Sequence, residues 1–130
     1  MKLDLADLVA PRHTAVVTQE LQGAVVGPGA GLRELADEAR RHGLGPMGGT
    51  ELDAVLRNLG ASTIIAVGVS ANIAITNLVM DAVNAGYRVV LPRDAVAGIP
   101  TEYADAVIDN TLSLLATVTT TGDVLRAWQH

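Results

Sequence analysis

Short unbroken apolar runs alternate along the chain with stretches in which apolar residues recur every three or four positions, which predicts strands and helices in turn. Residues 14–18 (TAVVT) form a β-branched run. Beyond the turn Gly27-Pro28-Gly29, a helical spacing places Leu32, Leu35, Ala36 and Ala39 on one face. Residues 42–49 (HGLGPMGG) are rich in helix breakers, and Thr50 is then placed to cap a short helix with Leu52, Val55, Leu56 and Leu59 on one side and Gly60 at its end. Residues 63–69 (TIIAVGV) are apolar throughout, as in a strand buried on both faces, and belong at the sheet centre. Asn72 is expected to open the next helix. There Ile73, Ile75, Leu78, Val79, Met80, Ala82 and Val83 leave only a narrow polar strip before Gly86. A strand over 87–91, a helix from Thr101 through about Leu115, a strand over 116–119 and a short helix capped by Thr121 complete the pattern.

Strands separated by helices and joined by short loops predict an α/β fold: three layers, α/β/α, around a doubly wound, mainly parallel, Rossmann-like sheet. The 130 residues fit one domain over 1–130. Composition sharpens this picture. With 49% hydrophobic residues, no Phe, two Tyr and one Trp, the core must be aliphatic, which suits buried parallel strands. A net charge of −5 opposes binding to phosphate backbones or anionic membranes, and so few aromatic rings leave little surface on which bases could stack. No apolar run approaches the roughly 18 residues of a membrane span. The first residues lack the apolar core of a secretory signal, so a cytoplasmic location is expected. The absence of Cys removes disulfides, thiolate metal sites and thiol nucleophiles together.

Four blocks carry a resemblance: Glu20-Leu21-Gln22, then Gly49-Thr50-Glu51-Leu52-Asp53, then Gly68-Val69-Ser70-Ala71-Asn72-Ile73-Ala74, then Gly86-Tyr87-Arg88-Val89-Val90-Leu91-Pro92-Arg93-Asp94-Ala95. In this order and spacing they make the chain resemble the isochorismatase-like (cysteine hydrolase) family across nearly its whole length. The resemblance implies a nucleophilic Cys where this chain has Ala74, a catalytic Asp where it has Glu20, and a Lys where it has Arg41. Without a thiol no covalent thioester can form at residue 74. The resemblance also implies that a segment with two edge strands is missing between Arg40 and His42, leaving a sheet trimmed to about four strands with the first at an exposed or partner-covered edge.

Candidate chemistry follows from these positions. Glu20 lies at the carboxyl end of a strand, where open α/β sheets take ligands, and reads either as a general base or as a solvated carboxylate. Arg41 is a permanent cation suited to clamping an anion. The turn over 69–72 resembles the family segment in which a cis peptide helps to aim N–H groups at an oxyanion. A helix start favours anions in any case, so Ser70, Ala71, Asn72 and the amide of Ala74 are candidate ligand contacts, together with Gln22. For the Asn72 side chain a plain N-cap is the competing reading. Asp94 reads as a cap of the loop before Gly98 or as a residue near the cleft. His13, His42 and His130 are scattered and support no metal site, and the glycines near Pro28 match no phosphate loop. No cofactor is expected.

The function implied is that of a divergent hydrolase working on a small anionic substrate without a thiol. The alternative is a catalytically inactive scaffold that binds a small molecule or serves as an oligomer subunit. The apolar helix over 72–84 reads as core or as the interface of a homo-oligomer.

Overall fold

The computed structural model describes residues 4–19 and 46–129. Its sheet is parallel. Strands β1 (Thr14–Gln19), β2 (Thr63–Val69), β3 (Arg88–Pro92) and β5 (Thr117–Thr119) lie in the order β1-β2-β3-β5, and the two-residue β4 (Val96–Ala97) pairs with β2. Thr63 to Ile65 pair with Arg88 to Val90, whereas Gly68 and Val69 pair with Val96 and Ala97. β3 thus leaves β2 partway along, and the chain returns as β4 to satisfy the carboxyl end of the central strand.

Helices α2 (Leu52–Asn58), α3 (Thr76–Asn84) and α4 (Thr101–Asn110) cover one face. Leu56, Ile75, Leu78, Val79, Ala82, Ala104 and Ile108 pack there against Val17, Ile64, Ala66, Val89 and Leu91. The other face is covered by α1 (Leu5–Leu8) and α5 (Thr121–Trp128), through Leu8, Val9 and Val124 on Ile65 and Val90. Because successive residues of β2 and β3 serve opposite layers, the continuous apolar run of 63–69 is accounted for by burial on both sides. The three-layer α/β fold expected from the sequence is therefore present, and β1 is an edge among the described residues, with Val16 52% exposed.

Several local expectations are corrected. A four-residue helix at Leu5–Leu8, too short to leave a periodic signal, is added to the elements expected from the sequence. α4 ends at Asn110 rather than near Leu115, and a separate 3-10 turn follows at Leu112–Leu114. The cap of α5 is Thr120, not Thr121: the Thr120 hydroxyl accepts from the Asp123 amide at 3.2 Å. The apolar run over this stretch keeps its core reading at Ile75, just before α3, and at Leu78, Val79 and Ala82 within it, while Met80 is exposed.

Asp94 supports α5 from a distance. Its carboxylate accepts from the Thr121 amide at 2.7 Å and from the Thr121 hydroxyl at 3.0 Å. The carboxylate thus caps the start of α5 rather than the loop before Gly98. The amide bond holds the Asp94 carboxyl below its ordinary value of 3.8. Asp53 is lowered by its bond from the buried Tyr87 hydroxyl (2.7 Å) and then by Arg57 (3.1 Å), and Asp123 chiefly by Thr120. The folded chain binds these protons less tightly than the unfolded chain, so the stabilisation is complete above the unfolded pKa and is lost as pH falls through the lowered values. Asp94→Asn should lower the melting temperature at pH 7, and the gap from the parent should close progressively below about pH 4. A gap of constant size in melts from pH 7 to pH 2.5 would contradict that role.

Candidate active site

The carboxyl ends of β1 and β2 lie side by side, with Gln19 in register with Gly68. Gly68 has φ +120°, and a β-carbon there would sit 2.9 Å from the Gln19 amide nitrogen and closer still to its carbonyl oxygen. Only glycine lets the two strand ends approach this closely. One residue later the Val69–Ser70 peptide is cis, as the resemblance led one to expect.

Ser70 is 1% exposed and has extended backbone (φ −98°, ψ 141°), so it, and not Asn72, stands before the first helical turn. That turn, Ala71–Ile75, is a π-helix running directly into α3. The Ser70 carbonyl accepts from the amides of Ile73 (3.2 Å) and Ile75 (2.9 Å), and the Thr76 hydroxyl donates to the Ala71 carbonyl at 2.7 Å. Single wide turns of this kind are concentrated at functional sites. Ala71 and Ala74 are buried inside it, and the Ala74 methyl offers no lone pair for attack.

The N-cap reading of Asn72 is overturned by where its side chain goes. Its amide nitrogen donates to the Ile99 carbonyl at 3.3 Å, while Oδ1 is buried without a partner among the described residues. The cis Ile99–Pro100 bond and Gly98 close this side. A β-carbon on Gly98 would lie 2.5 Å from Asn72 Oδ1 and 2.8 Å from the Ala104 β-carbon. Asn72 thus ties the helix start to the segment between β4 and α4.

Ser70, Ala71, Asn72 and Ala74 are therefore gathered in one turn beside the end of β1. Glu20, Gln22 and Arg41 lie outside the described residues, as do the turn near Pro28, the helix expected after it, His42 and His130. Arg93 plays no part in the turn; it pairs with Asp109 at 3.1 Å. Among the described residues no three His, Cys, Asp or Glu side chains converge as a metal site. Sequence reasoning passed over Gln19, which is 8% exposed. Its signal was present: it shares the inward side of the strand with Val17, and a polar residue in a core-facing position calls for a reason.

The isochorismatase domain model matches residues 11–123. Among solved structures, an isochorismatase family protein from Burkholderia thailandensis is 30% identical, with TM-score 0.64 over 67% of this chain and 46% of its own. An isochorismatase-like hydrolase from Alkaliphilus metalliredigens is 26% identical, with TM-score 0.62 over 65% of this chain and 46% of its own. The pyrazinamidase of Pyrococcus horikoshii, solved in complex with zinc, is 27% identical, with TM-score 0.56 over 59% and 43%. No curated protein matches. The chain thus spans less than half the length of these structures. With a family model covering all but its two ends, and a fold shared with these structures, the chain belongs to the isochorismatase family.

Proposed function

We propose that the chain hydrolyses a small anionic substrate without a covalent thiol step, Glu20 carrying the proton and Arg41 holding the anion. The observation that supports this reading is the parallel pairing of Gln19 with Gly68: residue 20 follows directly on the strand whose neighbour leads into the Ser70–Ala74 turn. For a vinyl ether, the Glu20 carboxyl would protonate the terminal carbon, water would add to the resulting oxocarbenium ion and return a proton to the Glu20 carboxylate, and the hemiketal would break into a ketone and an alcohol. Gln22, Ser70, Ala71, Asn72 and the Ala74 amide would line the ligand, the helix start favouring its negative charge. The test is turnover across a panel of amides and vinyl ethers by the parent and by Glu20→Gln. Activity unchanged in the variant removes the proton-carrying role.

A second reading is favoured by the buried methyl of Ala74: an inactive scaffold that keeps the cleft as a binding site. It predicts no hydrolysis anywhere in the panel, with a rise in melting temperature on adding the ligand. Either reading takes residues 1–130 as one cytoplasmic domain with a small-molecule ligand, no nucleic acid or membrane partner, and assembly as a homo-oligomer. Light scattering on the eluting protein should give a multiple of 13.4 kDa, and a monomer mass at micromolar concentration rejects the assembly.

A further inference from the structure

We infer that Gln19 is a specificity-determining residue of the same cleft, and that its side chain reads a hydrogen-bond donor, an O–H or N–H, on the bound anion. The inference rests on the reading of that cleft as a small-anion site and adds to it a residue and a second ligand group. Gln19 is the last residue of β1, and alternation along the strand puts its side chain on the face of Val17, the face covered by the helical run that starts at Ala71. Opposite it stands Gly68, whose lack of a side chain leaves Gln19 uncovered by its direct neighbour, and Ser70 follows two residues later. Gln19 is more than nine-tenths buried, and its Oε1, itself shut away from solvent, meets no donor among the described residues.

An acceptor shut away from water without a donor destabilises the fold that contains it, and an aliphatic side chain of the same length would remove the penalty. A buried carboxamide at a strand end, on the sheet face covered by the helical run that starts at Ala71 and with its oxygen unpaired among the described residues, is an arrangement that a ligand completes. The helix start takes the negative or carbonyl oxygen, and Gln19 Oε1 takes the proton of a neighbouring hydroxyl or N–H. A site built this way rejects the analogue whose donor is blocked, because binding it leaves the oxygen still unpaired.

The test uses calorimetric titration of the whole chain with benzoate, the three hydroxybenzoates and the three matching methoxybenzoates, alongside thermal melts. For the parent, at least one hydroxybenzoate should bind about tenfold or more tightly than its methoxy counterpart. In Gln19→Met the ligand-free melting temperature should rise, benzoate should bind as before, and the preference for hydroxyl over methoxyl should vanish. A preference that survives in Gln19→Met, or a fall in that variant's ligand-free melting temperature, overturns the role of Gln19. Benzoate binding by the parent with no preference in any pair overturns it as well, while leaving the cleft intact. Failure of all seven probes to bind the parent rejects the cleft and the inference together.

Discussion

Gly68→Ala is expected to destabilise the protein by on the order of 3 kcal/mol. At the size of this domain that lowers the melting temperature by roughly 10 °C. Two penalties act together. The backbone at Gly68 has φ +120°, which side chains rarely adopt, and the added carbon meets backbone atoms of Gln19 rather than the movable end of a side chain. Relief would require β1 and β2 to separate at their carboxyl ends, and that opens the turn at Ser70 as well. Gly48→Ala is the control: nothing lies within 4 Å of a β-carbon there, and the change should stay within about 0.5 kcal/mol. Thermal melts of both variants decide the matter, and a Gly68→Ala protein that melts with its parent refutes the close-approach argument.

Glu20→Gln is expected to reduce turnover of any vinyl ether the protein accepts by about 10²–10⁴-fold. A carboxamide keeps the size and polarity of the carboxyl but cannot pass on a proton at neutral pH. On the proposed reading binding should be kept while kcat falls, because the anion is held by Arg41 and by the helix start. An effect confined to KM would instead make residue 20 a binding group. The scaffold reading expects neither change, since the parent itself would show no turnover.

The strands could be read in advance because each is a local signal: the apolar run of 63–69 needs two covering layers, and it has them. β4 could not be, because two residues between Ala95 and Gly98 carry no period, and their pairing depends on where β3 diverges from β2. Helix caps failed for a related reason. Thr120 and Thr121 are chemically alike, and the choice between them is made by Asp94, which is distant in sequence and bonds the Thr121 amide. Asn72 looked like a cap in sequence because its neighbours fit one; the tertiary contact with Ile99 took its side chain elsewhere. At the candidate site the turn over Ser70 to Ala74 was visible as a motif, whereas Gln19 was hidden behind the more conspicuous carboxylate beside it.

Trp128 donates from its indole nitrogen to the Val9 carbonyl at 2.7 Å, bridging α5 and the end of α1. As the sole tryptophan, it makes fluorescence a private reporter of the side of the sheet that α1 and α5 cover. Emission should redden when these two segments part, while ellipticity follows the helices packed on the opposite layer. Denaturation curves that diverge between the two signals would reveal the back layer peeling off ahead of the rest.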